Sequence, residues 1–191
     1  RVSMSKAIRR KEMLQRLKRM SKETYRARSE SIIQRFVISR LFRQAETIGV
    51  TISRFPEVRT MSLIEEAWRA GKKVVVPRCN IETKEMTFRE IMSYDELEVV
   101  SSGLYEPKEN ETEVVEKEEI DLLVVPGVIY SNEGYRIGFG GGYYDRYLKD
   151  YNGRTVSLAF TEQTGQVVPV ESHDLPVQYI ISDTQTINCQ E

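Results

Sequence analysis

The chain has 191 residues, is 40% hydrophobic and 30% charged, and carries a net charge of −1 at neutral pH. That length suits one core burying roughly 70% of the surface its unfolded form exposes, and no apolar run comes near the ~20 residues that a spanning helix requires. Only Cys79 and Cys189 occur, far apart, which excludes a disulfide framework or a cysteine zinc site and makes the cytoplasm the expected home; residues 1–3 read as an expression remnant ahead of a natural start at Met4.

The near-neutral total conceals a segregation. Residues 1–44 hold fourteen Lys and Arg against three Glu, a net of +11, and the remainder nets −12. Apolar residues in the basic segment recur at helical spacing (Ala7, Leu14, Leu17, then Ile32, Ile33, Phe36, Val37, Leu41), which predicts two amphipathic helices over 5–20 and 23–43 docking on a core. Most of the cations then belong to a solvated face. Lys6 and Arg10, four residues apart on one face, are placed to clamp a polyanion.

Next, the β-branched run 47–52 reads as a buried strand, 53–59 as a loop around Pro56, and Thr60 as the N-cap of a helix running through Ala70 and ending at Gly71. A second buried strand follows at 73–77. Strand, helix and strand with continuous apolar strands predict an α/β fold: one domain built on an open, mostly parallel sheet with helices on both faces. Alternation over 85–91, with Met86, Phe88 and Ile91 set against Thr87 and Arg89, suggests a half-exposed strand. Residues 106–119 carry seven acidic side chains and two Lys and read as a solvated loop with room for a short helix near its end. Beyond it come a strand at 120–125, a long loop to 137, a helix at 143–151 and strands at 155–160 and 179–181. The carboxyl ends of strands 47–52, 73–76 and 120–125 share the sheet edge where open α/β folds place ligands. Glu57, Arg78 and a glycine-rich run fall on that edge.

The glycine-rich run is Gly138-Phe139-Gly140-Gly141-Gly142-Tyr143-Tyr144-Asp145. Four glycines in five positions cost backbone entropy, a cost that makes sense where a ligand approaches the main chain closely. Neither common glycine motif fits: there is no Gly-Lys-Ser/Thr, and Tyr143 stands where a dinucleotide fingerprint needs its third glycine. On glycines alone, a flexible turn and a phosphate cradle both remain open. Arg136 just upstream, Asp145 in the next helix and two tyrosines able to stack on a planar ligand favour the cradle.

Taken together, Lys6-Ala7-Ile8-Arg9-Arg10, Pro56-Glu57-Val58-Arg59-Thr60, Pro77-Arg78 and Tyr135 through Tyr147 resemble the 5-formyltetrahydrofolate cyclo-ligase family across essentially the whole chain. The resemblance implies an enzyme that uses ATP and Mg²⁺ to turn 5-formyltetrahydrofolate into 5,10-methenyltetrahydrofolate. It implies that Lys6 and Arg10 hold the ATP phosphates and that Arg136, Ile137, Gly138, Phe139, Gly140, Gly141, Gly142, Tyr143 and Tyr144 wrap the nucleotide, Lys6 and Arg136 serving catalysis. Phe139, Gly140, Gly141, Gly142 and Tyr143 also border the folate, Glu57 holds the pterin and Ile52 lines its pocket, while Asp145 and Asp174 supply the metal carboxylates. Arg78 would touch phosphate or the folate glutamate. The chain departs from some relatives at Arg59, where they carry an acid, and at Phe139 and Gly141, where they carry bases, which puts more weight on Lys6, Arg10 and Arg136.

Each of these residues has a plainer reading. Asp145 would complement a helix dipole, Glu57 would be a loop carboxylate, and His173, the lone histidine, reads as a surface or capping residue. Two other functions stand beside the cyclo-ligase: a nucleic-acid-binding module using the basic segment, distinguished by a steep salt dependence, and a sugar-phosphate isomerase, which needs no ATP. The partners expected are small molecules, with no nucleic acid or membrane and a monomeric state.

Overall fold

Three serines open the N-terminal helices of the computed structural model, which describes residues 5–191; the reading of residues 1–4 lies outside them. Ser5 caps α1 (Lys6–Leu17), Ser21 caps α2 (Lys22–Val37) and Ser39 caps α3 (Arg40–Gln44), each hydroxyl accepting a first-turn backbone N–H. The expected single helix over 23–43 is therefore two. Ser39 ends one and starts the next, because its side chain competes for backbone donors. Along α2, Tyr25, Ser29, Ile32, Ile33 and Phe36 are buried, the spacing of one helical face.

The sheet begins with β1 (Thr47–Gly49) and passes through α4 (Met61–Arg69) to β2 (Lys73–Cys79). Leu63, Ile64 and Ala67 of α4 are buried, and the Trp68 indole N–H donates to the Ile91 carbonyl at 3.0 Å. Thr60 precedes α4 but makes no side-chain cap. Its hydroxyl donates instead to the Thr51 carbonyl at 2.7 Å, closing the intervening loop. Next, β3 (Met86–Ile91) turns back antiparallel to β2, and β4 (Leu97–Val99) and β5 (Tyr105–Pro107) form a small hairpin of their own.

The chain then supplies β6 (Leu122–Val124), the hairpin β7 (Ile129–Tyr130) and β8 (Arg136–Ile137), α5 (Tyr143–Tyr147), β9 (Arg154–Leu158), β10 (Tyr179–Ile181) and β11 (Thr186–Asn188). Seven strands lie in the order β11-β10-β9-β6-β1-β2-β3. The five central strands are parallel, and β11 and β3 are antiparallel edges. This is the expected α/β architecture. From β1 the chain moves to β2 on one side, and from β6 outward on the other, so the order reverses between β1 and β6, the usual place for a ligand crevice.

Alternate strand residues feed two cores. Val74, Val76, Leu122, Val124, Val156 and Leu158 pack beneath α2–α4, while Val75, Leu123 and Val125 pack with Phe88, Tyr147 and Leu148 on the other face. Both faces are covered, the second by much less helix. Phe88 and Ile91 lie in different cores, correcting the grouping of these two on one side; three positions apart on a strand, they must point oppositely.

Three further expectations change. Residues 106–119 are not simply solvated, since Glu106 is 6% exposed and Val115 is buried, and residues 126–137 contain β7 and β8 rather than only loop. The helix expected over 143–151 keeps its α form for five residues and finishes as a 3-10 turn over Leu148–Asp150.

Gly49 sits where β1 crosses the second core, and a Cβ there would lie 2.7 Å from Leu123 Cδ1 and 3.2 Å from Phe88 Cε2. Gly49→Ala is expected to destabilise the fold by about 1–3 kcal/mol, the usual range for overpacking. A urea titration would register this as a lower midpoint at unchanged slope.

Candidate active site

A cavity of about 1190 Å³ opens at the carboxyl ends of β1, β2 and β6. Its lining includes Lys6 and Arg10 of α1, Ile52 and Glu57 of the loop after β1, Arg136 and Ile137 of β8, Gly138, Phe139, Gly140, Gly141 and Gly142, then Tyr143, Tyr144 and Asp145 of α5, and Asp174. Every residue singled out for nucleotide, folate or metal thus faces one space. Residues far apart in sequence meet there because α1 lies across the glycine loop: Arg10 Nε donates to the Gly138 carbonyl at 2.6 Å, and Arg9 Nη1 donates to the Val167 carbonyl at 2.5 Å.

The loop itself presents donors. Among the described residues, none of the backbone N–H groups of 138–142 donates to a protein acceptor. Gly140 and Gly142 have φ values of 100° and 73°, a region that favours glycine. Gly138 has open space around its missing Cβ. Free amides beside cations are the donor set that an anion-binding concavity requires. Because α5 spans only five residues, its dipole contributes less than the sequence reading assumed.

Arg136 is nearly buried, its side chain 6% exposed. It pairs at 3.1 Å with Asp145, which is 69% exposed, and donates to the Pro126 carbonyl at 3.2 Å. Asp174 accepts from the Glu171 N–H at 2.8 Å. Among the described residues no three His, Cys, Asp or Glu side chains gather as a metal site, so protein atoms alone build no cage. Two carboxylates facing one cavity do fit Mg²⁺, which takes one or two such ligands and completes its shell with phosphate oxygens and water. His173 lies beside Asp174 and Glu171 at 3.6 Å, with an exposed side chain, in keeping with a surface role.

At the other end, Glu57 is held from several directions. Its carbonyl accepts the Tyr25 hydroxyl at 2.6 Å, and its carboxylate accepts the Arg54 N–H at 3.3 Å. Burial raises its pKa from 4.5 to about 6, because a desolvated carboxylate disfavours its charge. Arg78 lines the cavity but is already engaged, with Glu98 at 2.8 Å and Glu109 at 3.4 Å and the Pro107 carbonyl at 2.9 Å. The phosphate or glutamate contact expected of it meets a guanidinium whose charge is matched.

Sequence reasoning passed over charged residues of this lining, Glu106 and Arg54 among them. Glu106 is buried on β5 and accepts the Cys79 N–H at 3.1 Å; burial raises its pKa, and burial, with Glu106 adding, pushes the Cys79 thiol up to about 12. Nothing in the acidic run distinguished Glu106 from its exposed neighbours except the following Pro107. Among the described residues the hydroxyl of Tyr144, a residue assigned to the nucleotide, is buried without a hydrogen-bond partner. Arg54 was read only as loop.

The chain matches the model of the 5-formyltetrahydrofolate cyclo-ligase family over residues 2–183. It is 28% identical over 183 residues to mouse 5-formyltetrahydrofolate cyclo-ligase, covering 90% of each chain, and 32% identical over 145 residues to the enzyme of that name from Escherichia coli K12, covering 74% of this chain and 80% of that one. Its fold superposes on the NMR structure of Aquifex aeolicus 5,10-methenyltetrahydrofolate synthetase with a TM-score of 0.86 at 30% identity, covering 98% and 94% of the two chains.

The raised pKa of Glu57 has a consequence for stability. A carboxyl whose folded pKa exceeds its unfolded value binds its proton more tightly when folded, so its contribution is complete below about 4.5 and is lost as pH rises through about 6. Glu57→Gln, which cannot ionise, should therefore match the parent near pH 4 and exceed it near pH 8. Paired thermal melts at those two pH values check this, and a parent that is equally or more stable than the variant at pH 8 contradicts it.

Proposed function

The chain belongs to the 5-formyltetrahydrofolate cyclo-ligase family, and we propose that its cavity converts 5-formyltetrahydrofolate to 5,10-methenyltetrahydrofolate at the expense of ATP. The observation that carries this reading is the convergence of Lys6, Arg10 and Arg136 on a loop whose amides have no protein acceptor. An inert formamide and a triphosphate must meet in one water-poor space, and this cavity offers donors for one and a carboxylate for the other.

The formyl oxygen on N5 is a poor leaving group because resonance stabilises the amide. Transfer of the γ-phosphoryl group to that oxygen, with departure of ADP, creates an activated carbon. N10 then attacks it, phosphate leaves with the former formyl oxygen, and the N10 proton is released. The protein's part is to align the reactants and to stabilise charge. Lys6 and Arg136 face the transferring group, Arg10 and the amides of 138–142 hold the remaining phosphates, and Tyr143 and Tyr144 border the bases and rings. Glu57 accepts hydrogen bonds from the pterin, with Ile52 against its face. Asp145 and Asp174 would hold Mg²⁺, which when bound offsets the phosphate charge.

The basic N-terminal segment fits this role better than nucleic-acid binding. Arg10 and Arg28 point inward, Arg28 making a two-pronged contact with Glu162 at 2.8 and 2.5 Å, and Lys6 faces the cavity. No helix among the described residues is long and apolar enough to cross a membrane. A monomer acting on small molecules in the cytoplasm completes the reading.

The test is the appearance of the near-ultraviolet absorbance of the methenyl product. It should require both ATP and Mg²⁺; product without ATP, or none with it, would end the proposal. Lys6→Ala should lower turnover about 10²–10³-fold, as loss of one charge-stabilising donor does, with an unchanged melting temperature because Lys6 is exposed.

Two glycines separate ligand approach from backbone strain. Gly138→Ala meets no neighbour within 4 Å and has no left-handed φ, whereas Gly140→Ala must hold φ near 100°. Both should weaken ATP binding by calorimetry, but only Gly140→Ala should also lower the melting temperature. Full ATP affinity in Gly138→Ala would return that position to a purely structural turn.

A further inference from the structure

Among the described residues that carry a side chain, Lys84 alone has a left-handed backbone, with φ at 64°. It sits in the turn between β2 and β3, which Asn80 winds: the Asn80 carbonyl accepts the Lys84 N–H at 2.8 Å, the Asn80 N–H donates to the Glu85 carbonyl at 2.8 Å, and Asn80 Oδ1 accepts the N–H groups of Glu82 and Thr83 at 3.0 and 3.1 Å. The positive φ that closes the turn costs glycine or asparagine least. A lysine held there is strain of the kind that collects at functional positions. Its side chain makes one contact. Glu82 and Glu85 flank Lys84 in the chain, yet the partner its ammonium has among the described residues is the Tyr143 ring, with the nitrogen 5.7 Å from the centroid and so within cation–π reach.

Tyr143 opens α5 directly after the glycine run, and little else confines its ring. A Cβ on Gly141 would lie 2.8 Å from both Cδ2 and Cε2 of Tyr143, so one edge of the ring runs along backbone that glycine leaves bare. The β2–β3 turn lines the same cavity through Asn80, Ile81 and Glu82, with Ile81 61% exposed. Lys84 is not part of that lining; it reaches the cavity only through the tyrosine. Resting on the cyclo-ligase reading above, we infer that Lys84 is a positioning residue, whose ammonium holds the Tyr143 ring where it borders nucleotide and folate. The strained turn is kept because it delivers a cation to that ring. Lys84 itself touches neither substrate.

The test follows formation of the methenyl product in variants of the whole chain. Lys84→Met keeps the apolar stem and removes the charge; it should raise KM for ATP and KM for 5-formyltetrahydrofolate about three-fold each, as loss of an exposed cation–π contact predicts, with kcat unchanged. Lys84→Arg keeps a cation for the ring and should hold the parental KM values. Lys84→Gly should raise both KM values as Lys84→Met does, although its melting temperature should not fall, because glycine relieves the left-handed backbone. In a Tyr143→Leu background, which has no ring, Lys84→Met should change neither KM, nor the ATP affinity read by calorimetry where turnover is too slow to follow. Parental KM values in Lys84→Met would overturn the assignment. So would a loss that persists in the Tyr143→Leu background, which would make Lys84 a direct partner of the substrates, or a lower melting temperature in Lys84→Gly, which would make the lysine structural. A parent protein that forms no methenyl product overturns the cyclo-ligase reading and this inference with it, whereas the other outcomes leave the activity in place.

Discussion

Arg10 and the Gly138 carbonyl stand 128 positions apart in the chain and 2.6 Å apart in space, and the cavity depends on their meeting. A twelve-residue helix is marginal by itself, and α1 buries only Met13 and Leu17, roughly 1.5–3 kcal/mol for each such side chain. Something further must fix its angle. The Arg9 and Arg10 contacts do so at its first turns, and Arg28, bound to Glu162 and Asp183 while touching Met20, holds the turn that follows it. The benefit is mutual. A run of glycines loses more freedom on ordering than any other sequence, and the helix across it confines the loop while occupying a carbonyl and leaving the amides for a ligand.

The same economy governs the cations. The molecule is near neutral overall, yet basic at one end and acidic thereafter. Folding brings part of the acidic stretch over β2 and β3, where Glu98, Glu109 and backbone carbonyls of that stretch absorb Arg78 and Arg89. Arg78 fastens the β4–β5 hairpin to the sheet, and Arg89 fastens the segment that follows it. Among the described residues Lys6 and Arg54 make no ion pair or side-chain hydrogen bond, while Arg10 is hydrogen-bonded only to a carbonyl and Arg136 only to a carbonyl and the exposed Asp145. Position in the sequence does not separate the two groups; what separates them is how many acceptors of the acidic stretch fold back within reach.

This division explains what could be read in advance. Period and composition were enough for the parallel strands, because Val74, Val75 and Val76 or Leu122, Leu123 and Val124 have no polar face to expose and so must lie between two layers. The glycine run declared itself by its entropic cost, and its likeness to a known family brought Lys6, Glu57 and Asp174 to the same place. What stayed hidden is mostly tertiary. Thr60 bonds back to Thr51 rather than capping, and Glu106 is buried against Cys79, 27 positions away; Ser39 breaks its helix through neighbours only three residues off, which apolar spacing alone does not register. No local pattern marks Arg78 as taken, since Glu98 and Glu109 reach it only once the chain has folded.

Glu57 shows how the fold sustains an unfavourable group. A partly desolvated carboxylate gains by swinging into water, and a flexible loop would allow it. Here the loop is tied at several points: Tyr25 binds the Glu57 carbonyl, Ser29 accepts the Arg59 N–H at 3.0 Å, and Thr60 and Ser53 bond to each other across the loop's base. Two of those ties come from α2, the helix that Arg28 fastens to the far side of the sheet. The carboxylate is kept poorly hydrated by elements that never touch a ligand, so a ring that donates hydrogen bonds to it replaces water that was already in short supply. Binding then gains more from each hydrogen bond than an exposed carboxylate would give, and the stability lost on ionisation is the physical basis of that gain.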